Sequence, residues 1–348
     1  MPFLTQTRSR GFMPSGVSAF MVAFIATMVL TPIVRHICVR FAFQANPNPI
    51  IATHKVATPT LGGIAIYVSV ILALALVMIP SGKSTFLLSL VAASLPLFLM
   101  GIYDDLKGLS FKFKGLVEIA LVIVFILVFK LRPGFNVTPI FDYLLMLLWF
   151  VGIINAINLI DIMDGLASGI GLFASVGFFM LAVLTGRIDL LPICGALAGG
   201  YLAFLYYNFN PAKIFLGDNG SLVMGLALAW LGFELFGHES LSVKTMSPVI
   251  ILGIPIFEVF LLVLRRKKKK IPVLLGSPDH LALAIQALGN SIQKTAVIIY
   301  AVSVVLVFCG ILVATSSVII QIIVSLVLLI IAILYLRFFT GVSIPEKH

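Results

Sequence analysis

Residues 85–114 read TFLLSLVAASLPLFLMGIYDDLKGLSFKFK. The first part, 85–103, carries no charge at all, then two aspartates and three lysines arrive within eleven positions. An uncharged run of about 20 residues is long enough to cross the hydrocarbon core of a bilayer as a helix. Lipid offers nothing to hydrogen-bond with, so such a run must satisfy its own backbone, and a helix does that within one segment. The stretch therefore reads as a membrane helix whose end carries the pair Asp104-Asp105.

The rest of the chain repeats the pattern. Of 348 residues, 61% are apolar and 10% are charged, and the mean hydropathy is +1.19. Soluble domains carry roughly 25% charged residues, so water-soluble, disordered and fibrous readings are excluded. Eleven apolar segments are legible, at 17–38, 61–79, 85–103, 115–131, 139–157, 166–185, 190–207, 219–236, 247–264, 295–314 and 316–338. Only Thr315, Ser316 and Ser317 separate the last two, which makes ten the alternative count. Continuous runs rather than short alternating ones exclude a membrane β-barrel. The expected fold is all-α, a polytopic membrane protein forming one integral unit over 1–348. Its longest loop, 265–294, is expected on the cytoplasmic side with a short apolar helix in the interface.

No A-x-A-like cleavage site precedes the first run, so it reads as a retained span. Cys38, Cys194 and Cys309 each sit in an apolar run and have neither metal-ligand nor disulfide spacing. The loops after odd-numbered segments, with their flanks, hold 14 of the 23 Lys and Arg residues, against five in the opposite set. Positive charge stays inside. The odd loops are thus expected in the cytoplasm, the N-terminus outside and the C-terminus inside. The formal charge of +10 suits anionic lipid rather than nucleic acid, since no soluble basic domain exists.

The acids decide where chemistry is expected. Asp104, Asp105, Asp161, Asp164, Asp218 and Asp279 all lie on or beside the same lysine-rich loops. Ionisable groups at the membrane are costly and mark function by default. Asp104-Asp105 with Lys107, Lys112 and Lys114 could set a base or metal ligand beside phosphate-binding cations, or merely solvate a helix end. Asn155, Asn158, Asp161 and Asp164 recur every three residues and form a polar stripe, more than one helix cap explains. Pro59, Gly62 and Gly63 suit a tight turn near a ligand, or an ordinary interhelical turn with a snorkelling Lys55. Asp218 stands where an apolar helix begins, so either it or Asn219 could simply be an N-cap. Glu234 and Glu258, inside apolar segments, read as transporter proton-relay groups or as acids hydrogen-bonded in the packing.

Taken in order, HKVATPTLGG, DD with LSFKFK, NLIDIMDGLASG and FNPAKIFLGDNGS resemble the polyprenyl-phosphate N-acetylhexosamine-1-phosphate transferases. The resemblance runs from about Thr53 to Asn290 and is strongest to the lipid-linked N-acetylglucosamine branch, a relative of the phospho-N-acetylmuramoyl-pentapeptide transferases. It implies transfer of a sugar 1-phosphate from a UDP-sugar to undecaprenyl phosphate, with release of UMP, in a bacterial plasma membrane. Mg²⁺, with Mn²⁺ as a substitute, is the implied cofactor, and a homodimer is left open. By resemblance Asp104 and Asp105 are catalytic carboxylates, and Asp218, with Asp104, is a metal ligand. Lys55, Phe215, Asn155, Asn158, Asp161, Asp164, Asn208, Lys114 and His280 then line the substrate site. Two departures stand out. DHLALAI keeps His280 but has Ala282 and Leu283 where the family clusters further histidines, and Ile162-Met163 replace the usual Gly-Leu. The competing classes are a transporter or flippase, an alcohol phosphatidyl-type transferase, and a scaffold without activity. No internal repeat supports the transporter, and the polar groups gather at one face rather than at the midplane.

Overall fold

The computed structural model describes residues 12–45, 57–272 and 277–344. Lys55 lies outside them. The helices are α1 (Phe12–Arg40), α2 (Gly63–Met78), α3 (Ser84–Lys107), α4 (Phe111–Phe129), α5 (Pro139–Ile160), α6 (Leu166–Leu184), α7 (Leu191–Asn208) and α8 (Asp218–Phe236). They continue with α9 (Ser247–Ile251), α10 (Gly253–Lys268), α11 (Leu281–Ala287), α12 (Ile292–Thr315) and α13 (Val318–Gly341). Two short strands, β1 (Gln44–Ala45) and β2 (Thr58–Pro59), pair antiparallel.

Every apolar segment read from the sequence is helical. Among the described residues eight helices are long and apolar enough to cross a membrane, nine if a bent pair counts as one span. The pair is Lys244–Ile251 with Gly253–Lys268, bent by 73°. Two of the eleven segments fall outside that set. The helix α2 has only 16 residues, and α4 begins with Lys112, Lys114 and Glu118 in its first half.

The centre of the bundle is α7 and α8, whose apolar stretches are 78% and 83% buried, against 6% for α13. In lipid there is no hydrophobic drive between helices, so association depends on close packing. The stretch Gly195-Ala-Leu-Ala-Gly199 on α7 provides it. A Cβ on Gly195 would stand 2.1 Å from the Gly16 carbonyl oxygen, and one on Gly199 2.2 Å from that of Phe20. Only glycine lets α1 and α7 approach this closely.

The loops sort to two ends. At one, the segments around β2, the α3–α4 turn, the α5–α6 loop and the α7–α8 loop converge. At the other, Gly134 N–H donates to Gly237 O at 2.8 Å and Leu241 N–H to Phe135 O at 3.3 Å. There Arg187 also reaches Asp189 and Glu234, each at 3.1 Å. The apolar side of α11 packs into the protein. Leu281, Ala282, Ala284 and Ile285 are buried, while Leu288 is exposed.

Candidate functional site

The site is built on the amino end of α8. Residues 215–217 arrive there as extended chain held by PTLGG. Phe215 N–H donates to Pro59 O at 2.8 Å, Gly62 N–H to Phe215 O at 2.9 Å, and Gly63 N–H to Leu216 O at 2.8 Å. A Cβ on Gly63 would lie 2.2 Å from Asn219 Oδ1 and 2.3 Å from Gly220 Cα. The glycine pair therefore brings backbone against the start of α8. Gly217 then turns the chain at φ +76, a conformation that costs glycine little.

Helix N-termini leave unpaired N–H groups, and neither Asp218 nor Asn219 caps α8 from within. The cap comes from α3. Asp105 Oδ1 accepts Asp218 N–H at 2.9 Å, and Oδ2 accepts Asn219 N–H at 3.0 Å and Asn219 Nδ2 at 2.6 Å. A carboxylate at this end also meets the positive pole of the helix. Asp105 thus spends both oxygens as an anchor. Its neighbour Asp104 accepts Leu109 N–H at 2.6 Å and turns its other oxygen to Lys114 Nζ at 3.0 Å.

Lys114 forms a second ion pair with Asp218 Oδ2, so one ammonium joins carboxylates from α3 and α8. Asp218 Oδ1 in turn accepts Asn158 Nδ2 at 3.0 Å, and the same amide donates to Ser221 Oγ at 2.9 Å. One turn earlier on α5, Asn155 donates to Glu118 Oε2 at 2.7 Å. Glu118 is a fully buried carboxylate that the sequence reading missed. Its only sequence signal is an acid four residues after Lys114 in an apolar helix.

The polar stripe divides by task. Asp161, just past the end of α5, carries a carboxyl pushed well above the usual range. Burial is the main cause, followed by the charges of Asp218, Asp105 and Asp164. Asp164 Oδ2 accepts Asn210 Nδ2 at 2.7 Å and Ala212 N–H at 3.0 Å, holding the α7–α8 loop. Asn208 is a cross-brace. It accepts Gly165 N–H at 3.2 Å and Ser168 Oγ at 2.6 Å, and donates to Ile214 O at 3.0 Å. Phe215 is half-buried. Lys112 is exposed, over the Phe111 ring.

His280 is paired with a different carboxylate. Its Nδ1 lies 2.6 Å from Glu258 Oε1, and Leu281 N–H donates to Glu258 Oε2 at 2.9 Å. Glu234 is likewise taken, by Arg187 and by His238 at 3.7 Å. Glu234 and Glu258, the two glutamates singled out in the sequence, thus both have hydrogen-bonding partners.

Among the described residues no group of three or more His, Cys, Asp and Glu side chains is arranged to hold a metal ion alone. Two carboxylates, Asp104 and Asp218, do converge on one cationic group. That donor set suits Mg²⁺, which takes one or two carboxylates and completes its octahedron with water and substrate phosphate.

Fold and site together define a polytopic membrane protein with an acidic, lysine-bridged centre at one end of its helices. Residues 87–235 match the model of the family described as glycosyl transferase family 4. A Bacillus subtilis (strain 168) protein named as a probable undecaprenyl-phosphate N-acetylglucosaminyl 1-phosphate transferase is 30% identical over 326 residues. That match covers 90% of this chain and 89% of the relative. A Listeria innocua phospho-N-acetylmuramoyl-pentapeptide-transferase is 34% identical, over 61% of this chain and 73% of its own. One from Rubrobacter xylanophilus is 35% identical, over 60% and 71%. The chain belongs to this family of membrane phosphosugar transferases.

Proposed function

We propose that this protein transfers a sugar 1-phosphate, with N-acetylglucosamine 1-phosphate as first choice, from a UDP-sugar to undecaprenyl phosphate. An acceptor phosphate oxygen attacks the sugar-bearing phosphorus of the donor. The bond from that phosphorus to the bridging oxygen breaks, UMP leaves, and a polyprenyl diphosphate sugar forms. The observation that carries this reading is the Lys114 ammonium set between Asp104 and Asp218 at the amino end of α8. Family membership and the 30% identity with the Bacillus protein support it.

The reaction gathers several phosphate charges, so catalysis is chiefly positioning and charge neutralisation. Asp104 and Asp218 are the residues that would hold Mg²⁺. When bound, the ion neutralises charge on the diphosphate and steadies the leaving UMP. Lys114 contributes a second positive charge, and Asn158 fixes the rotamer of Asp218. Asp105 acts through α8, keeping Asp218 in place. A phosphomonoester is largely dianionic near neutral pH, so the acceptor needs orientation more than deprotonation. Asp161, Asp164, Asn155, Phe215, His280 and Lys55 are assigned to the donor side, as the family resemblance implies.

In this reading the site end of the bundle faces the cytoplasm, eleven segments span a bacterial plasma membrane, and the N-terminus lies outside. The lysine bias of the odd loops supports that orientation. The test is UMP release by the purified full chain with undecaprenyl phosphate, Mg²⁺ and a panel of UDP-sugars. Lipid-dependent UMP that EDTA abolishes supports the reading and identifies the donor. No UMP from any donor, with the protein shown to be folded, overturns it.

A further inference from the structure

Glu258 lies within α10 and is 2% exposed, a depth at which an unheld carboxylate is costly. Its two oxygens close on consecutive residues of the distant segment that begins α11. Oε1 meets His280 Nδ1 at 2.6 Å and Oε2 accepts Leu281 N–H at 2.9 Å. A plain strap between α10 and α11 would need only the second bond. The first is to a ring nitrogen, and fixing one imidazole nitrogen decides the tautomer and aims the other. The ring is further fixed by its approach, since Asp279 is pinned by Lys269 at 2.7 Å and through its carbonyl by Arg265 Nη1 at 3.1 Å.

What the ring is held beside is also defined. Gln286 Nε2 on α11 reaches Met163 Sδ at 3.0 Å, in the loop between Asp161 and Asp164. A small pocket is bounded on one side by Ile160, Ile162 and Leu166, and on the other by Glu258, Leu281 and Ala282. The Glu258–His280 pair therefore adjoins the loop that begins at Asp161.

We infer that Glu258 is a positioning residue of the transferase: it takes the Nδ1 proton of His280 in a hydrogen bond and thereby fixes the tautomer and orientation of a ring assigned to the donor side. The inference rests on the transferase reading. It is tested on the full chain by Glu258→Gln, whose carbonyl can still accept Leu281 N–H while its amide cannot hold the Nδ1–H form of the ring. The expected result is a kcat lowered roughly tenfold or more, with KM for the acceptor lipid and the thermal midpoint near wild type. In a His280→Ala background the same substitution changes kcat by less than about twofold, because the two residues act as one unit. Glu258→Asp, which keeps the carboxylate, recovers part of the rate. ¹⁵N-histidine NMR should also show His280 leaving its Nδ1–H form in Glu258→Gln. An equal loss of kcat in both backgrounds, an unchanged kcat, or an unchanged tautomer overturns the inference. Absence of UMP release by the wild-type chain overturns the transferase reading instead, and the tautomer measurement then still decides whether Glu258 sets the ring.

Discussion

Asp105 on α3 closes the amino end of α8 through Asn219, accepting its backbone N–H at 3.0 Å and its side-chain amide at 2.6 Å. Asp104, one residue earlier, faces Lys114 instead. Adjacent carboxylates that look equivalent in sequence are thereby given different work. One holds the helix that carries Asp218, and the other shares a cation with Asp218.

That division predicts different effects on stability. Asp105→Ala removes three hydrogen bonds to a charged group at a helix N-terminus, and is expected to cost about 2–3 kcal/mol of stability. Thermal unfolding in detergent should show a clear drop in midpoint together with lost activity. Asp104→Asn should leave the midpoint near wild type while lowering kcat by roughly two orders of magnitude. Equal thermal losses for the two variants would refute the division.

Lys114 stands where two carboxylates converge, so its ammonium opposes any divalent cation bound there. Lys114→Met is expected to tighten Mn²⁺ binding by about tenfold, or 1.4 kcal/mol, while slowing transfer. Mn²⁺ titration followed by electron paramagnetic resonance reads the affinity without turnover. Weaker binding in the variant would mean that the ion does not share the Asp104–Asp218 locus.

At the opposite end, the Glu234 carboxylate beside His238 raises the imidazole above its ordinary value by hydrogen bond and charge, against a smaller loss from burial. A group whose folded value is raised stabilises fully below its unfolded value, about 6.5. That contribution disappears as pH rises through the folded value. His238→Gln should therefore flatten the fall in thermal midpoint as pH rises above about 6.5. The ring is 40% exposed and screened by solvent, so the effect should stay below about 1 kcal/mol. A steeper fall in the variant would reverse the assignment.

That the apolar runs form helices was legible in the sequence. Apolar length and the need to satisfy backbone in lipid leave no other secondary structure, and charge bias separates the two sets of loops. The acids were legible too, because a carboxylate next to lipid has to be explained. Tertiary structure alone decided what each one does. Asp105 caps a helix more than a hundred residues away, and Asn208 and Asp164 turn out to tie loops together. Glu118, Asn219 and Glu258 matter through partners on other helices. Hydropathy is a local property and can be read along the chain. A hydrogen bond between helices depends on which faces meet, and that is settled only when the bundle packs.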